Sequence, residues 1–412
     1  MFSEERELTE RGFYWLKVNI ANLYGVDKVA MDERAAYVDE NYERIKKSVE
    51  DPFGEEGSWW TEGDSPWQIL AAAIELVNAV ESGDPASHMS SLFVTQDGSC
   101  NGLQHYAALG LDLEGGAAVN LVPGDVPSDV YTEVMAKVQE RVDAEADKVL
   151  GKRPSKLEIR DNAAAKLVRD MIDRKVVKQT VMTSVYGVTY VGARAQIQAR
   201  LLDKFEERGE AVDGQEQEAA VYAASAYLAQ TTMESLNDLF TGARATMNFL
   251  TECAALVSQQ NQPVCWMTPL NLPCVQPYRK NKEKIVNTVV QQVSMYDDMS
   301  DLPVSSSKQR SAFPPNYVHS LDSSHMLLTA IEMKERGLRF SAVHDSYWCH
   351  PQNVDEMNTV LREKFVDLYT RPLLADLRSD LVDRFPGVPF PEVPETGELE
   401  LERVKESVYF FQ

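Results

Sequence analysis

The chain has no long hydrophobic run and no closely spaced cysteine pair. A bilayer-spanning helix needs roughly 20 consecutive apolar residues, and no apolar run approaches that length. The opening MFSEERELTERGFYW carries acids where targeting peptides carry basic and apolar residues, so we expect no targeting segment. The five cysteines form no CxxC pair, which argues against a zinc knuckle or a disulfide framework. The 412 residues, 44% of them hydrophobic, can bury a large core of two or three domains or subdomains.

Positive charge is scarce overall but concentrated in one segment. The net charge of -23 argues against a nucleic-acid partner, because phosphate binding depends on Lys and Arg. Between Lys152 and Lys178, however, nine Lys or Arg stand against four Asp or Glu, a local charge of +5. Two interpretations remain open for this segment: a solvated helix face, or a surface that binds phosphates.

Hydrophobic periodicity predicts helices over most of the chain and strands near both ends of a helical middle. Residues 1 to about 90 and about 114 to 260 have helical patterns, as do HSLDSSHMLLTAIEMKERG and VDEMNTVLREKFVDLYTRPLLADLRSDLVDRF. Strands are predicted within SLFVTQDGSCNGLQHY, PVCWMTPLNLPCVQPY and KIVNTVVQQVSMY, and a hairpin within LRFSAVHDSYWCH. This layout predicts a mainly helical α+β fold in which a large helical insertion interrupts a sheet-based domain.

Two of the predicted strands end on an acid, Asp97 and Asp345. Either acid alone is more often a turn former than a functional group. Side by side, the two carboxylates would bind a pair of Mg²⁺ ions, which prefer few carboxylates plus the phosphate oxygens of a substrate. Two ions roughly 3.5–4 Å apart activate an attacking oxygen and stabilise a leaving oxygen in phosphoryl transfer. The pair is therefore a candidate catalytic metal site.

Arg174, Lys178, Met182 and Tyr186 recur every four residues and share one face of a predicted helix. The two cations would neutralise the oxygens of a triphosphate, while Tyr186 and Gly187 would present a flat ring beside a gap that admits a base. The alternative is an ordinary amphipathic helix with its basic residues in water. That alternative explains poorly why Met182 and Tyr186 lie on the cationic face.

Three segments, DGSCNGLQH, RKVVKQTVMTSVYG and AVHDSYW, resemble in this order motifs A, B and C of the single-subunit RNA polymerases of mitochondria and T-odd phages. The resemblance extends to GFYWLKVNIANLYGVDK, WWTEGDSPWQ, PPNYVHSLDSSH and YFFQ, and so covers nearly the whole chain. It implies a right-hand polymerase in which residues 1–113 and 320–412 form the palm, built on an antiparallel sheet, and residues 114–319 form the fingers. We expect the thumb and the N-terminal domain of the family to be absent from this chain.

The resemblance assigns roles to the candidate metal and phosphate ligands. It implies that Asp97 and Asp345 hold two catalytic Mg²⁺ ions, with the backbone carbonyl of Gly98 as a further ligand. It implies that Arg174 and Lys178 contact the phosphates of the incoming nucleotide. Lys178 would also donate a proton to the pyrophosphate leaving group.

The resemblance also assigns residues to the nucleoside. Tyr186 would position the nucleotide and help to select ribose, and His319 would hydrogen-bond the 2′-hydroxyl. Tyr131 matches a tyrosine at the nucleotide end of the fingers. Met182 and Gly187 complete the expected substrate-binding surface.

The nearest rival is an A-family DNA polymerase, which shares the fold and the RxxxK helix. Those enzymes carry a Glu five positions after the motif A acid, where it blocks a ribose 2′-hydroxyl, and this chain has Gly102 there. Motif C of the rival ends in Glu, whereas Ser346 stands here. Both differences favour ribonucleotides. Gln179 departs from the phage pattern, which has an Arg after the lysine.

The resemblance thus implies DNA-templated RNA synthesis, in which an RNA 3′-hydroxyl attacks a ribonucleoside triphosphate. The expected partners are a DNA template, the RNA transcript, ribonucleoside triphosphates and initiation factors, with no membrane. The expected location is the mitochondrial matrix. A catalytically inactive fragment that acts as a binding or assembly piece remains the alternative, beside the DNA polymerase.

Overall fold

The computed structural model describes residues 2–185, 187–210, 212–280, 283–288, 290–296 and 302–412. Its α-helices are α1 (Thr9–Tyr24), α2 (Met31–Glu40), α3 (Tyr42–Glu50), α4 (Pro66–Glu81), α5 (Asn101–Gly110), α6 (Leu113–Ala118), α7 (Val130–Asp147), α8 (Lys156–Val168), α9 (Arg174–Ser184), α10 (Tyr190–Glu207), α11 (Gln215–Leu239), α12 (Thr241–Gln259), α13 (Ser306–Glu335), α14 (Val354–Tyr369) and α15 (Leu373–Arg384). Short 3₁₀ helices lie at Glu55–Glu62, Pro85–Ser87, Pro351–Asn353 and Leu401–Glu406.

The strands are short and pair in antiparallel fashion. They are β1 (Arg6–Glu7), β2 (Met89–Ser90), β3 (Val94–Asp97), β4 (Cys265–Met267), β5 (Pro273–Val275), β6 (Glu283–Asn287), β7 (Gln292–Tyr296), β8 (Ser341–Val343) and β9 (Ser346–Cys349). Strands β3, β9 and β8 form a three-stranded sheet in that order, and β1–β2, β4–β5 and β6–β7 form pairs. The prediction of a mainly helical α+β fold is confirmed. The β1–β2 pair was not predicted, because two residues are too few to show a strand period.

The three-stranded sheet follows the two-residue period of a half-buried strand. On β3, Val94 and Gln96 are buried, and on β9, Tyr347 and Cys349 are buried, while the residues between them are more accessible. The hairpin of β8 and β9 turns through two residues, and the first of them, His344, has a left-handed φ of 55°. The predicted hairpin is therefore confirmed.

Helices α8 and α9 begin at side-chain caps. The Ser155 hydroxyl accepts a hydrogen bond from the backbone N–H of Glu158, and the Glu158 carboxylate accepts one from the backbone N–H of Ser155. Helix α9 begins where Asp173 accepts a hydrogen bond from the N–H of Val176 at 2.9 Å. These caps set where the basic segment enters its helices.

Helix α13 begins earlier than its sequence pattern indicates. The pattern predicts a start near His319, whereas the helix starts at Ser306 and continues through Pro314 and Pro315. Proline normally breaks a helix because it lacks an N–H and crowds the preceding turn. Both prolines are buried, so packing offsets this local cost. Because Pro315 has no N–H, the carbonyl of Ser311 lacks the helical hydrogen bond that position 315 would otherwise donate.

Two hydrophobic cores hold the described chain together. The smaller one joins α1, α3 and α4 around side chains such as Ile20, Trp59, Trp60 and Ile69. The larger one joins α5 and α7 to α15 with strands β3 and β9, so the sheet rests on helices. Among the described residues, no helix combines the length and apolar character that crossing a membrane requires.

Candidate active site

The structure brings Asp97 and Asp345 to the same end of two adjacent strands. Asp97 is the last residue of β3 and pairs in register with Ser346, the first residue of β9. Asp345 directly precedes that residue, and the backbone N–H of Gly98 donates to the Asp345 carbonyl at 3.4 Å. Acids 248 positions apart in sequence are thus neighbours because β3 pairs with β9.

The pKa of each acid lies above its usual range. Burial is the main cause for Asp97, and the negative charge of Asp345 adds to it, while a hydrogen bond from Ser346 opposes the increase. Burial is also the main cause for Asp345, to which the charge of Asp322 contributes.

The donor set of this cleft fits the requirements of Mg²⁺. Carboxylate oxygens are hard ligands, and a bound cation would offset the burial and negative charge that raise the pKa of the two acids. Within the described ranges, no group of three or more His, Cys, Asp or Glu side chains is placed to hold a metal. Mg²⁺ does not need such a cage, because it keeps water and takes oxygens from substrate phosphates.

The segment Tyr409–Gln412 lies along the motif A loop. Asp97 and Gln412 exchange two backbone hydrogen bonds of 3.0 Å, and Gly98 forms a bridge with Phe411. The Ser99 hydroxyl donates to the Tyr409 carbonyl at 3.0 Å. The aromatic segment YFFQ therefore lies along the edge of β3 that does not pair with β9.

The cations of α9 gather around one aromatic ring. The Arg174 guanidinium lies 5.0 Å and the Lys178 ammonium 5.9 Å from the centre of the Tyr131 ring. Burial raises the pKa of Tyr131, and its hydroxyl interacts with Cys100, directly after motif A. Tyr131 thus connects the loop of Asp97 with the helix of Arg174 and Lys178.

Met182 and Lys178 line a cavity of about 460 Å³ between α9 and α10. Lys175, Arg200 and Lys204 line the same cavity, and Met182 is 43% exposed. The same lining includes Asp173, Asp203 and Glu207, so the cavity is mixed in charge, and the cationic face of α9 stays a prediction. Tyr186, the last member of that face, lies outside the described residues.

Gly187 packs closely against α13. Its φ is +75°, and a Cβ there would lie 3.1 Å from the Ser311 carbonyl oxygen and 3.7 Å from Pro315. The carbonyl approached by Gly187 is the one that Pro315 leaves without a helical N–H partner. Gly187 also lines a mainly apolar cavity of about 220 Å³ with Leu103 and Phe240.

His319 lies on α13 within electrostatic reach of motif C. Its pKa is lowered, mainly by burial and also by His105 and His344, while Asp322 and Asp345 act in the opposite direction. A lowered pKa favours the neutral imidazole near pH 7, which can both donate and accept a hydrogen bond.

Asp322, one turn after His319, is a neighbour that sequence reasoning missed. Its carboxylate oxygen lies 3.7 Å from Nε2 of the buried His105, whose Nδ1 hydrogen-bonds the Tyr369 hydroxyl. The charge of Asp322 acts on both His319 and Asp345. Asp322 follows His319 by three residues, a spacing that places both side chains on one face of a helix, and this spacing could have indicated Asp322 from the sequence.

Gly98, the first glycine of motif A, occupies a crowded position. A Cβ on Gly98 would lie 3.0 Å from the Gln104 side-chain oxygen, and the Gln104 amide nitrogen donates to the carbonyls of Val119 and Phe410. Gly102 lies buried in the first turn of α5.

Asp129 is a second residue that sequence reasoning missed. It accepts hydrogen bonds from Nε and Nη2 of Arg174 at 2.6 and 3.2 Å. The two residues are 45 positions apart, and no sequence spacing connects them. Elsewhere in the basic segment, Arg160 pairs with Asp161 and Arg169 with Asp147, so part of its positive charge is neutralised within the chain.

A family model described as DNA-dependent RNA polymerase matches residues 6–388. The match covers most of the chain and includes both acids, α9 and His319. The chain belongs to the DNA-dependent RNA polymerase family, which confirms the resemblance to single-subunit RNA polymerases.

Curated relatives match the whole chain. DNA-directed RNA polymerase 1, mitochondrial, of Nicotiana sylvestris is 46% identical over 100% of this chain and 39% of the relative. DNA-directed RNA polymerase 3, chloroplastic, of the same species is 46% identical over 100% of this chain and 40% of the relative. DNA-directed RNA polymerase 1, mitochondrial, of Arabidopsis thaliana has the same identity and coverage. The chain spans about two fifths of the length of the curated relatives it matches.

Proposed function

We propose that this chain is the palm-and-fingers part of a DNA-directed RNA polymerase and catalyses templated addition of ribonucleotides to an RNA 3′-hydroxyl. The observation that carries the proposal is the convergence of Asp97 and Asp345 at one end of β3 and β9, in a chain of this family. Residues 1–113 and 320–412 would form the palm and residues 114–319 the fingers. The boundary between fingers and palm would then lie within α13.

Asp97 and Asp345, with the backbone carbonyl of Gly98, would hold two Mg²⁺ ions. Bound Mg²⁺ would activate the attacking hydroxyl and stabilise the leaving oxygen. Arg174 and Lys178 bind the triphosphate, and Lys178 holds a proton within reach of the pyrophosphate. The support for this arrangement is that both cations contact the Tyr131 ring, which interacts with the residue Cys100 behind Asp97.

Ribose would be selected by Tyr186 and His319, with Gly102 leaving space for the 2′-hydroxyl. The lowered pKa of His319 supports this role, because a neutral imidazole can hydrogen-bond a hydroxyl without a charge. Losing such a hydrogen bond costs about 1–3 kcal/mol, which is enough to discriminate against deoxyribonucleotides. Met182 and Gly187 would border the nucleotide near the C-terminal end of α9.

The partners would be a DNA template, the RNA transcript, ribonucleoside triphosphates and initiation factors. Mitochondrial transcription is the location we favour, although relatives carry both mitochondrial and chloroplastic names. Imaging the gene product in cells together with mitochondrial and plastid DNA would show which of the two organelles contains it.

The deciding experiment is primer extension by this chain on a preformed RNA–DNA scaffold with Mg²⁺. We expect addition of ribonucleotides, and a loss on the order of 10³-fold or more in Asp345→Asn. Asp367→Asn, which removes an exposed acid on α14, serves as the matched control and should retain activity.

Each alternative gives a different result in this assay. Template-dependent use of deoxyribonucleotides in preference to ribonucleotides would indicate a DNA polymerase. Scaffold binding without extension by the unaltered chain would favour an inactive binding or assembly piece. Full activity of Asp345→Asn would contradict the two-metal assignment.

The ribose assignment has its own test. Tyr186→Phe removes the hydroxyl and should relax the preference for ribonucleotides over deoxyribonucleotides. The measurement is the ratio of kcat/KM for the two substrates on the same scaffold. An unchanged ratio would remove Tyr186 from ribose selection.

A further inference from the structure

The guanidinium of Arg174 is held by an acid of its own chain. Asp129 accepts two hydrogen bonds from Arg174, and the Thr132 hydroxyl donates to the same carboxylate at 2.6 Å. The Asp129 side chain is only 13% exposed, whereas that of Arg174 is 35% exposed. The carboxylate is therefore fixed from two sides, and the guanidinium is still reachable from solvent.

The Asp129 side of the contact borders a cavity next to Asp97. Asp97, Gly98 and Asp129 line one cavity of about 160 Å³, with Lys28 on its wall. A nucleotide whose phosphates reach from Asp97 toward Arg174 would meet the Asp129 carboxylate on the way. A carboxylate and a phosphate oxygen are both strong acceptors for the same planar fork of N–H donors.

The charges around Arg174 also favour competition between Asp129 and a phosphate for the guanidinium. The bidentate ion pair neutralises Arg174 before a substrate arrives, and Asp129 itself repels a polyanion. Across the part of the chain that the structure describes, Lys178 forms no ion pair, so it is the phosphate ligand whose charge is available at once.

Resting on the proposed function, we propose that Asp129 is a positioning residue that occupies Arg174 until a nucleoside triphosphate replaces it. Binding then proceeds by exchange of one ion pair for another at the first turn of α9. The exchange lowers the net affinity for the triphosphate, because the Arg174–Asp129 pair must break first.

The experiment measures binding of Mg²⁺–ATP to the 412-residue chain by equilibrium dialysis, at fixed ionic strength. Asp129→Asn removes the charge and keeps a residue suited to the helix N-cap. We expect it to bind about fivefold more tightly than the unaltered chain, the effect of removing a partly exposed ion pair. Asp129→Ser, also a good cap residue, provides a second variant with the same expectation.

Three further variants separate the contact from general charge and from the phosphate site. Glu133→Gln removes an equal charge one turn further along α7 and should leave the affinity unchanged. Asp129→Glu restores the charge and should return the affinity toward that of the unaltered chain. Arg174→Ala should weaken binding, which tests the phosphate site without reference to Asp129.

The outcomes are distinct. Weaker or unchanged binding in both Asp129 variants, or an equal gain in Glu133→Gln, overturns the proposal. Normal binding in Arg174→Ala overturns the proposed phosphate site and the role of Asp129 with it. In the scaffold assay, a lower KM with unchanged kcat in Asp129→Asn supports the exchange, and a loss confined to kcat overturns it.

Discussion

At the scale of single residues, the cleft of Asp97 and Asp345 is unfavourable to the fold unless a cation is present. Burial and like charge raise the pKa of both acids above the usual value of 3.8. An acid whose pKa is raised by folding destabilises the native state where it is ionised. The proposed metal site would account for a pair of acids that stability alone disfavours.

Asp345→Asn should stabilise the metal-free chain at pH 7, by no more than about 1 kcal/mol because water still screens the site. The folded pKa lies above 3.8, so the penalty is present at neutral pH and disappears as the pH falls below the unfolded value. The check is urea unfolding of both proteins between pH 7 and pH 4 in EDTA. A difference that does not change with pH would contradict the electrostatic explanation.

Gly187→Ala should cost more stability than Gly337→Ala. Both glycines have a left-handed φ, +75° and +72°, so both substitutions carry about 1 kcal/mol of backbone strain. A Cβ at Gly187 also lies 3.1 Å from the Ser311 carbonyl oxygen, whereas a Cβ at Gly337 meets nothing within 4 Å. Thermal unfolding of the two variants measures the difference, and equal losses would show that the close approach has no energetic weight.

At the scale of elements, buried arginines hold the segment that pairs with Asp97. Arg34 on α2 is fully buried and donates to the carbonyls of Val29 and Asp27, to Asn22 Oδ1 and to Gln412 Oε1. A buried charge is tolerated only when its donors are satisfied, as they are here. The position of Gln412, and with it the end of β3, depends on this contact.

Arg34→Met should destabilise the chain by about 1–3 kcal/mol, because it leaves four partly buried acceptors without their donor. Arg44→Met is the matched control, since Arg44 on α3 has a half-exposed side chain and one ion pair of 3.5 Å to Glu62. That control should change stability by less than about 0.5 kcal/mol. Urea unfolding followed by circular dichroism measures both, and similar midpoints would contradict a structural role for Arg34.

The elements themselves were largely predictable from period and propensity. The helix α4, the strand β3 and the hairpin β8–β9 lie where their patterns predict them. The start of α13 was not predictable, because Pro314 and Pro315 are local helix breakers whose cost is offset by burial. Local rules fail where tertiary packing outweighs them.

At the scale of the whole molecule, a chain of net charge -23 carries one basic segment, Lys152 to Lys178, with a local charge of +5. Under the proposed function, cations that bind phosphates and acids that bind metal would lie within one substrate's length of each other. The family's nucleotide chemistry explains why both signs occur together, although the net charge alone argued against a phosphate partner.

Mg²⁺ should raise the melting temperature of the unaltered chain through the cleft of Asp97 and Asp345. At a tenfold excess over Kd, binding to the native state alone stabilises it by about 1.4 kcal/mol. Asp97→Asn should show a smaller rise, with KCl at equal ionic strength as the salt control. A rise of the same size in Asp97→Asn would place the ion elsewhere.

The sequence by itself determined the family and the mainly helical fold and proposed Asp97 and Asp345 as candidate acids, because each depends on local patterns and ordered motifs. Only the tertiary structure decided which distant residues act on them. The pairing of β3 with β9 joins Asp97 to Asp345, the segment ending at Gln412 flanks Asp97, and Asp129 holds Arg174. These contacts connect residues far apart in the chain, and no period or spacing in a sequence records which surfaces packing will bring together.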